Sequence, residues 1–240
     1  MKPFFLLGLC LLFVSGLYAD LEDLIPEEKI DPESFAKAQD ILKNYSIKRN
    51  LPRTQVKSTV AIYEYMLANL EFTSKIVQFL DLGKYTVEVP REGVFKVDDK
   101  NGVVAELQCI YRTEKMRVYL ANGIFQAPFN LEIKSEGLII LKFVPAKGGM
   151  VDTKASLFFK VENKFLDKLS KSAHELVGLI LEKKSTIFIY SAQTTAEYIN
   201  ENATQLYDEM GTSEVFTKEE IEGYYQSFLA PKKATSIPKK

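Results

Sequence analysis

KFLDKLSKSAHELVGLILEKKSTIFIYSAQTTAEYINEN, residues 164–202, is the stretch that decides the architecture. Its apolar residues Phe165, Leu169, Ala173, Leu176, Ile180, Phe188, Ala192, Ala196 and Ile199 fall on one helical face, with Lys184 as the interruption. Leu166, Val177, Leu181 and Ile189 widen the stripe. A helix this broad on its apolar side needs an extended surface to lie on. Residues 84–163, immediately before it, supply one, because there the apolar period drops from near 3.6 to near 2.

Seven strands are expected in that region. Tyr85, Val87 and Val89 alternate in the first, and residues 94–97 form the second. Asn101-Gly102 marks the hairpin that leads into 103–113, followed by 116–125. In 103–113, Val104, Glu106, Gln108, Ile110 and Arg112 share one face, opposite Val103, Ala105, Leu107, Cys109 and Tyr111. Residues 131–135 are read as a fifth strand, turned by Glu136-Gly137 into a nearly continuous apolar sixth, 138–144. Residues 155–162 close the sheet. Short connections make this a meander, and a sheet of this length would curl around its helix.

Upstream, Asp31-Pro32-Glu33 is a helix start, and Phe35, Ala38, Ile41, Leu42 and Tyr45 make its apolar side. A second helix is expected over 55–70, although the alternation of Val56, Ser58 and Val60 also fits a short strand before a helix from Ala61. A third helix over 72–82 should stop at Gly83. Downstream, Thr217-Lys218-Glu219-Glu220 has the capping-box pattern of a last short helix, whose Ile221, Tyr224, Tyr225, Phe228 and Leu229 could dock on the domain or meet a protein partner through 217–229. The fold class is thus α+β: short N-terminal helices, then a curved antiparallel meander of about seven strands packed on a long C-terminal helix.

The first twenty residues, MKPFFLLGLCLLFVSGLYAD, run from a basic Lys2 through an apolar core to small residues, the layout of a secretory signal peptide. The core is too short for a membrane span, which needs about 20 residues. Cleavage after Ala19 is expected, with an uncleaved anchor as the alternative, so the chain would be periplasmic in a bacterium and otherwise secreted. The expected organisation is a signal peptide at 1–19, an extension with one helix at 20–54, the α+β domain at 55–209, a C-terminal helix at 210–229 and a basic tail at 230–240.

Cleavage would also remove Cys10 and leave Cys109 without an intrachain partner, so no disulfide framework is expected, and Cys109 should be a buried core residue. Lysine plus arginine number 31 against 32 acidic residues, so no basic excess points to nucleic acid. With His174 the sole histidine, zinc sites and histidine-based triads have little to draw on. The loop Asp98-Asp99-Lys100-Asn101-Gly102 lacks the alternating ligands and closing glutamate of a helix-loop-helix calcium site, so no metal or cofactor is expected. Asn44 and Asn202 head glycosylation-type tripeptides, which matter only in a eukaryote.

Taken over residues 55–200, the order of elements resembles the START-like, or helix-grip, superfamily. The segment Ile62-Tyr63-Glu64-Tyr65-Met66-Leu67-Ala68-Asn69, the next short helix and the strand from Tyr85 look like the helical entry of such domains. The resemblance implies a sheet wrapped on a long helix with an apolar cavity between them; it supplies no motif on which to place a functional residue. The expected function is an exported binding module for an apolar or amphipathic, lipid-like small molecule. Candidate liners are Gln108, Arg112, Tyr119, Phe143, Phe159, Leu176 and Ile180. An envelope interaction protein with a filled core is the first alternative. An enzyme of the cyclase or hydrolase type is the second, with Glu106, Tyr111 and His174 as the titratable groups to test; no catalytic residue is assigned.

Overall fold

The computed structural model describes residues 27–127, 131–161 and 171–231. After a short helical turn at Glu27–Lys29, helix α1 spans Pro32–Asn44. Asp31 caps it by accepting from the Ser34 amide at 2.9 Å, and Pro32 stands at its first position, as the sequence pattern requires. Strands β1 (Ile47–Asn50) and β2 (Thr54–Lys57) follow, then helices α2 (Val60–Ala68) and α3 (Leu70–Phe79).

Residues 55–70 are therefore not one helix. The alternation of Val56 with its neighbours belongs to β2, whose Val56 pairs with Val151, and Thr59 caps α2 by accepting from the Ile62 amide. Helix α3 ends before Gly83; Asp81, at φ 53°, takes the left-handed turn instead.

The sheet continues with β3 (Thr86–Arg91), β4 (Val94–Asp98), β5 (Val103–Thr113), β6 (Met116–Ala127), β7 (Leu131–Ala146) and β8 (Met150–Val161). Its order is β1-β8-β7-β6-β5-β4-β3, with β2 also on β8, every pairing antiparallel. The two strands expected at 131–135 and 138–144 are one. Gly137 makes no turn: it lies in register with Ala121 and Phe159, where an added Cβ would stand 3.2 Å from Phe159 Cδ1 and 3.3 Å from Ala121 Cβ. It is glycine because the neighbouring strands come close. β8 likewise starts earlier than expected, because Gly148 and Gly149, at φ 74° and 70°, turn the hairpin tightly.

Helix α4 covers Lys171–Gly211 and continues past the expected end; Asn202 has non-helical angles (φ −130°, ψ 29°), where two helical pieces join. The expected start of this helix, at 164–170, lies outside the described residues. Helix α5 (Lys218–Phe228) has the anticipated capping box, Thr217 and Glu220 exchanging bonds of 2.8 and 3.2 Å.

Side chains alternate between the two faces of the sheet. On one, Leu157 and Phe159 of β8 and Phe125 of β6 pack against Val177 and Leu181 of α4, while Phe143 and Val151 meet Ala196 and Ile199 further along it. On the other, Val118, Leu120, Leu138, Ile140 and Phe158 are covered by Phe35, Ala38 and Ile41 of α1. The N-terminal helix is thus a second cover for the same sheet. Each such Val, Leu, Ile or Phe side chain taken fully out of water is worth roughly 1.5–3 kcal/mol, and Val118, Leu138 and Phe143 have no exposure at all.

Lys184, the break in the apolar stripe of α4, has a local explanation. Its Nζ lies 2.6 Å from Asp99 Oδ2 and 2.6 Å from the Asn101 carbonyl oxygen, tying the helix to the β4–β5 hairpin. The Asp99 and Asp98 carboxylates are engaged by Lys184, Lys100 and loop amides. Among the described residues no group of three or more His, Cys, Asp or Glu is placed to hold a metal ion, and no helix is long and apolar enough to cross a membrane.

Candidate functional site

A pocket of about 920 Å³ opens at one end of the sheet. The α2–α3 corner, Leu67 to Phe72, forms one wall; Val89, Glu92, Gly93 and Phe95 of the β3–β4 hairpin form another; and Cys109 to Arg112 with Arg117 form the third. Lys29 and Glu220 reach its rim.

The corner is tight because Asn69 serves both helices. Its amide and side chain donate to the Tyr65 carbonyl at 3.0 and 2.8 Å, ending α2, and its own carbonyl accepts from Thr73 in α3. The Thr73 hydroxyl returns to the Met66 carbonyl at 2.9 Å. These bonds hold Leu67 and Leu70 at the pocket wall.

Arg117 is the buried cation of the site, with 4% of its surface exposed. Its Nη1 donates to the Thr113 and Met116 carbonyls, closing the β5–β6 hairpin, and its Nη2 donates to Glu64 Oε2 at 2.6 Å. The guanidinium also lies 5.7 Å from the Phe143 ring centroid. A buried guanidinium so fully partnered is tolerated where a bare one would not be. Cys109 is half-buried rather than buried, and burial pushes its thiol pKa up, so at neutral pH it stays protonated and weakly nucleophilic. Behind it, burial also raises the Tyr119 phenol.

The seven predicted liners do not gather in one cavity among the described residues. Arg112 lines the pocket. A bulge between Cys109 and Tyr111 shifts the register of β5, so Arg112 pairs with Arg117 while Gln108 pairs with Leu120 on the α1-covered side. The same bulge carries Tyr111 to the face of Val118. Tyr119, Phe143 and Phe159 are buried facing the α4 side, each in a different apolar cluster, and Ile180 is half-buried beside Phe159's cluster. The side chains of Leu176 and His174 lie outside the described residues. Glu106 is on the exposed surface, 3.8 Å from Arg91. On α5, Tyr224 is fully buried and its hydroxyl donates to the Ala203 carbonyl at 3.1 Å, so much of that aromatic side is spent on the chain itself.

Sequence reasoning missed Arg117, Glu64 and the α2–α3 corner. The signal was faint: Arg117 follows a two-residue hairpin, where a solvated cation is the ordinary reading, and Glu64 sits fifty-three positions away.

Strand order, two short helices after the first strands, the meander and the long helix laid across it together make this an α+β fold of helix-grip architecture. No family model and no curated protein matches the chain. Among solved structures it is similar to a conserved protein from Geobacillus kaustophilus, at 14% identity and a TM-score of 0.45 over 63% of this chain and 95% of that one. It is also similar to Ara h 8.0201 (15% identity, TM-score 0.40, 62% and 97% covered). A third likeness is to major latex-like protein 151 from Panax ginseng (12% identity, TM-score 0.39, 64% and 98% covered).

Proposed function

We propose that the chain is an exported binding module for an apolar or amphipathic small molecule, lipid-like in character. The observation that carries this reading is the pocket of about 920 Å³, large enough for a drug-sized or larger ligand, with Leu67, Leu70, Phe72, Val89 and Phe95 offering apolar wall and Arg112 a cationic margin. The lining joins these apolar side chains to Lys29, Glu71, Glu92 and Arg117 in roughly equal measure, a mixture that suits an amphipathic ligand better than a purely apolar one. The location differs from the expectation of a cavity between sheet and α4, where Phe143, Leu157 and Ile199 are almost wholly buried against their neighbours. Export rests on the signal-peptide pattern before Asp20.

The test is native mass spectrometry of the protein purified from its own compartment, followed by solvent extraction. A stoichiometric apolar adduct on a chain beginning near Asp20 is expected. Ala68 is an exposed residue of the pocket wall, so A68W should fill the space, abolish the adduct and leave the circular dichroism unchanged. A clean apo mass together with no binding of a hydrophobic dye would overturn the reading in favour of an interaction protein.

A further inference from the structure

Along β7, helix α1 covers Leu138 and Ile140 and stops short of the next two residues on that face, Lys142 and Val144, which stand exposed, Val144 at 38%. Lys142 lies directly opposite Lys154 of β8. Like charges facing each other across a ladder destabilise it, because their β-carbons are only about 5 Å apart. Elsewhere on the same face the rows alternate in sign: Glu88, Lys96 and Glu106 stand side by side, and Lys160 is set between Glu136 and Asp40.

The neighbours of Lys142 and Lys154 do not relieve the repulsion. Lys147, in the β7–β8 turn, is exposed, and so is Lys115, which precedes the Met116 that pairs with Lys142. Among the described residues none of these four ammonium groups meets a carboxylate. Arg53 adds a fifth cation, 70% exposed and bonded to Asp152, which it neutralises; Glu114, beside Lys115, is the other acid here. Lys57, in register with Met150, is already bound to Glu201 of α4. This end of the sheet therefore carries a surplus of positive charge that nothing within the described chain offsets.

The layout of the charges specifies the partner. Cations spread over a sheet end and two turns suit an extended anionic surface; a single small anion needs them to converge. Val144, among them, offers an apolar contact that a layer of headgroups over acyl chains can take. Nucleic acid is held by stacking of its bases on aromatic rings as well as by cations, and this patch exposes no aromatic side chain. We propose that the outer face of the β7–β8 hairpin, with Lys115 from the adjoining turn, docks the chain on an anionic phospholipid bilayer, Lys142, Lys147 and Lys154 over the headgroups and Val144 between them. None of these residues lines the pocket, so this reading and the ligand reading stand or fall separately.

The experiment is vesicle flotation of the protein purified from its own compartment, with phosphatidylcholine alone and with phosphatidylcholine containing about 30% phosphatidylglycerol. Binding to the anionic vesicles alone is expected, and its loss in about 0.5 M salt. K142E should bind about 25-fold more weakly, a factor of about five for the attraction lost and about five for the repulsion gained. Its urea midpoint should be no lower than that of wild type, since a repelling cross-strand pair becomes an attracting one, so the loss is not one of folding. K84E/K134E, which reverses two exposed lysines away from the hairpin, should bind as wild type does. The lysines beyond residue 231 are the same in both variants and cannot account for a difference between them. Equal binding to both kinds of vesicle, binding to neither, or a K142E that floats like wild type would overturn the proposal. Binding to polyglutamate with no flotation would overturn it in favour of an acidic protein as the partner.

Discussion

Lys184 of α4 and Asp99 of the β4–β5 hairpin are joined Nζ to Oδ2 at 2.6 Å, with about four-fifths of each side chain out of solvent. The pair fastens the long helix to the far side of the sheet. Asp99 Oδ1 is also held, by the Asn101 and Val103 amides at 2.8 Å each, so the hairpin tip and the helix form one unit. Replacing Lys184 by methionine, K184M, keeps the apolar stem and removes the tie. It should lower stability by about 1–2 kcal/mol and speed amide exchange in the hairpin more than elsewhere. Uniform exchange across the sheet would show that the tie is incidental.

Two glycines face neighbouring strands at different distances, and the difference predicts an order. At Gly123 an added Cβ would stand 2.9 Å from Ala105 Cβ and 3.0 Å from the Val104 carbonyl oxygen, which forces the backbone to move. At Gly137 the nearest atom, 3.2 Å away, is the edge of the Phe159 ring. G123A should cost about 2–3 kcal/mol and G137A about 1 kcal/mol. Urea denaturation of both variants measures the order; equal costs would mean the sheet yields at either site.

At the start of α1, the amide donated by Ser34 holds the Asp31 carboxyl below its ordinary 3.8. A folded-state value below the unfolded one means that the cap stabilises above about pH 4 and is lost as the pH falls through the lowered value. D31A should therefore cost about 1 kcal/mol at neutral pH, and the gap from wild type should narrow in acid. D31N retains a capping oxygen without the charge, so its stability relative to D31A should not vary over that range. The check is chemical denaturation at a series of acidic pH values.

Helix α5 stands on two supports, the Thr217 capping box and the buried Tyr224 hydroxyl. T217A should cost about 1 kcal/mol by losing the cap. Y224F should cost a similar amount by losing the bond to the Ala203 carbonyl, about 1 kcal/mol. Tyr224 packs edge-on against Phe72 and Phe228, so both variants should raise proteolytic cutting in the 212–217 connection. An unchanged cleavage pattern would show that the ring contacts and the Lys75–Glu220 ion pair hold α5 without them.

Much of this fold is written in short-range pattern. The strands over 103–113 and 116–125, the cap at Asp31, the Thr217 box and the amphipathic face of the long helix follow from period and cap chemistry, which act within a few residues. The misreadings share a different cause. Gly137 looks like a turn residue from its neighbours and becomes a strand residue only because Ala121 and Phe159 come close on either side. The strand at Thr54–Lys57 is too short to outvote the helix beyond it until Val151 is seen to pair with Val56. Along β5, the bulge after Cys109 reverses the faces of Tyr111 and Arg112, and no local feature of the sequence announces it. The pocket is least legible of all. Its walls come from Leu67, Phe95 and Arg117, residues brought together by a helix corner and two hairpins, so among the described residues only Arg112 of the predicted liners reaches it.

Both rims of the sheet are interrupted by proline. Pro52 separates β1 from β2 along one rim, and Pro90 lies in β3 on the other, where the pairing with β4 slips between Glu88 and Arg91. Proline offers no amide to a neighbour, and a slipped ladder presents no straight row of donors and acceptors. A second chain therefore finds no continuous template on which to add a strand. This resists fibrillar growth at the two places where an eight-stranded antiparallel sheet is most open to it.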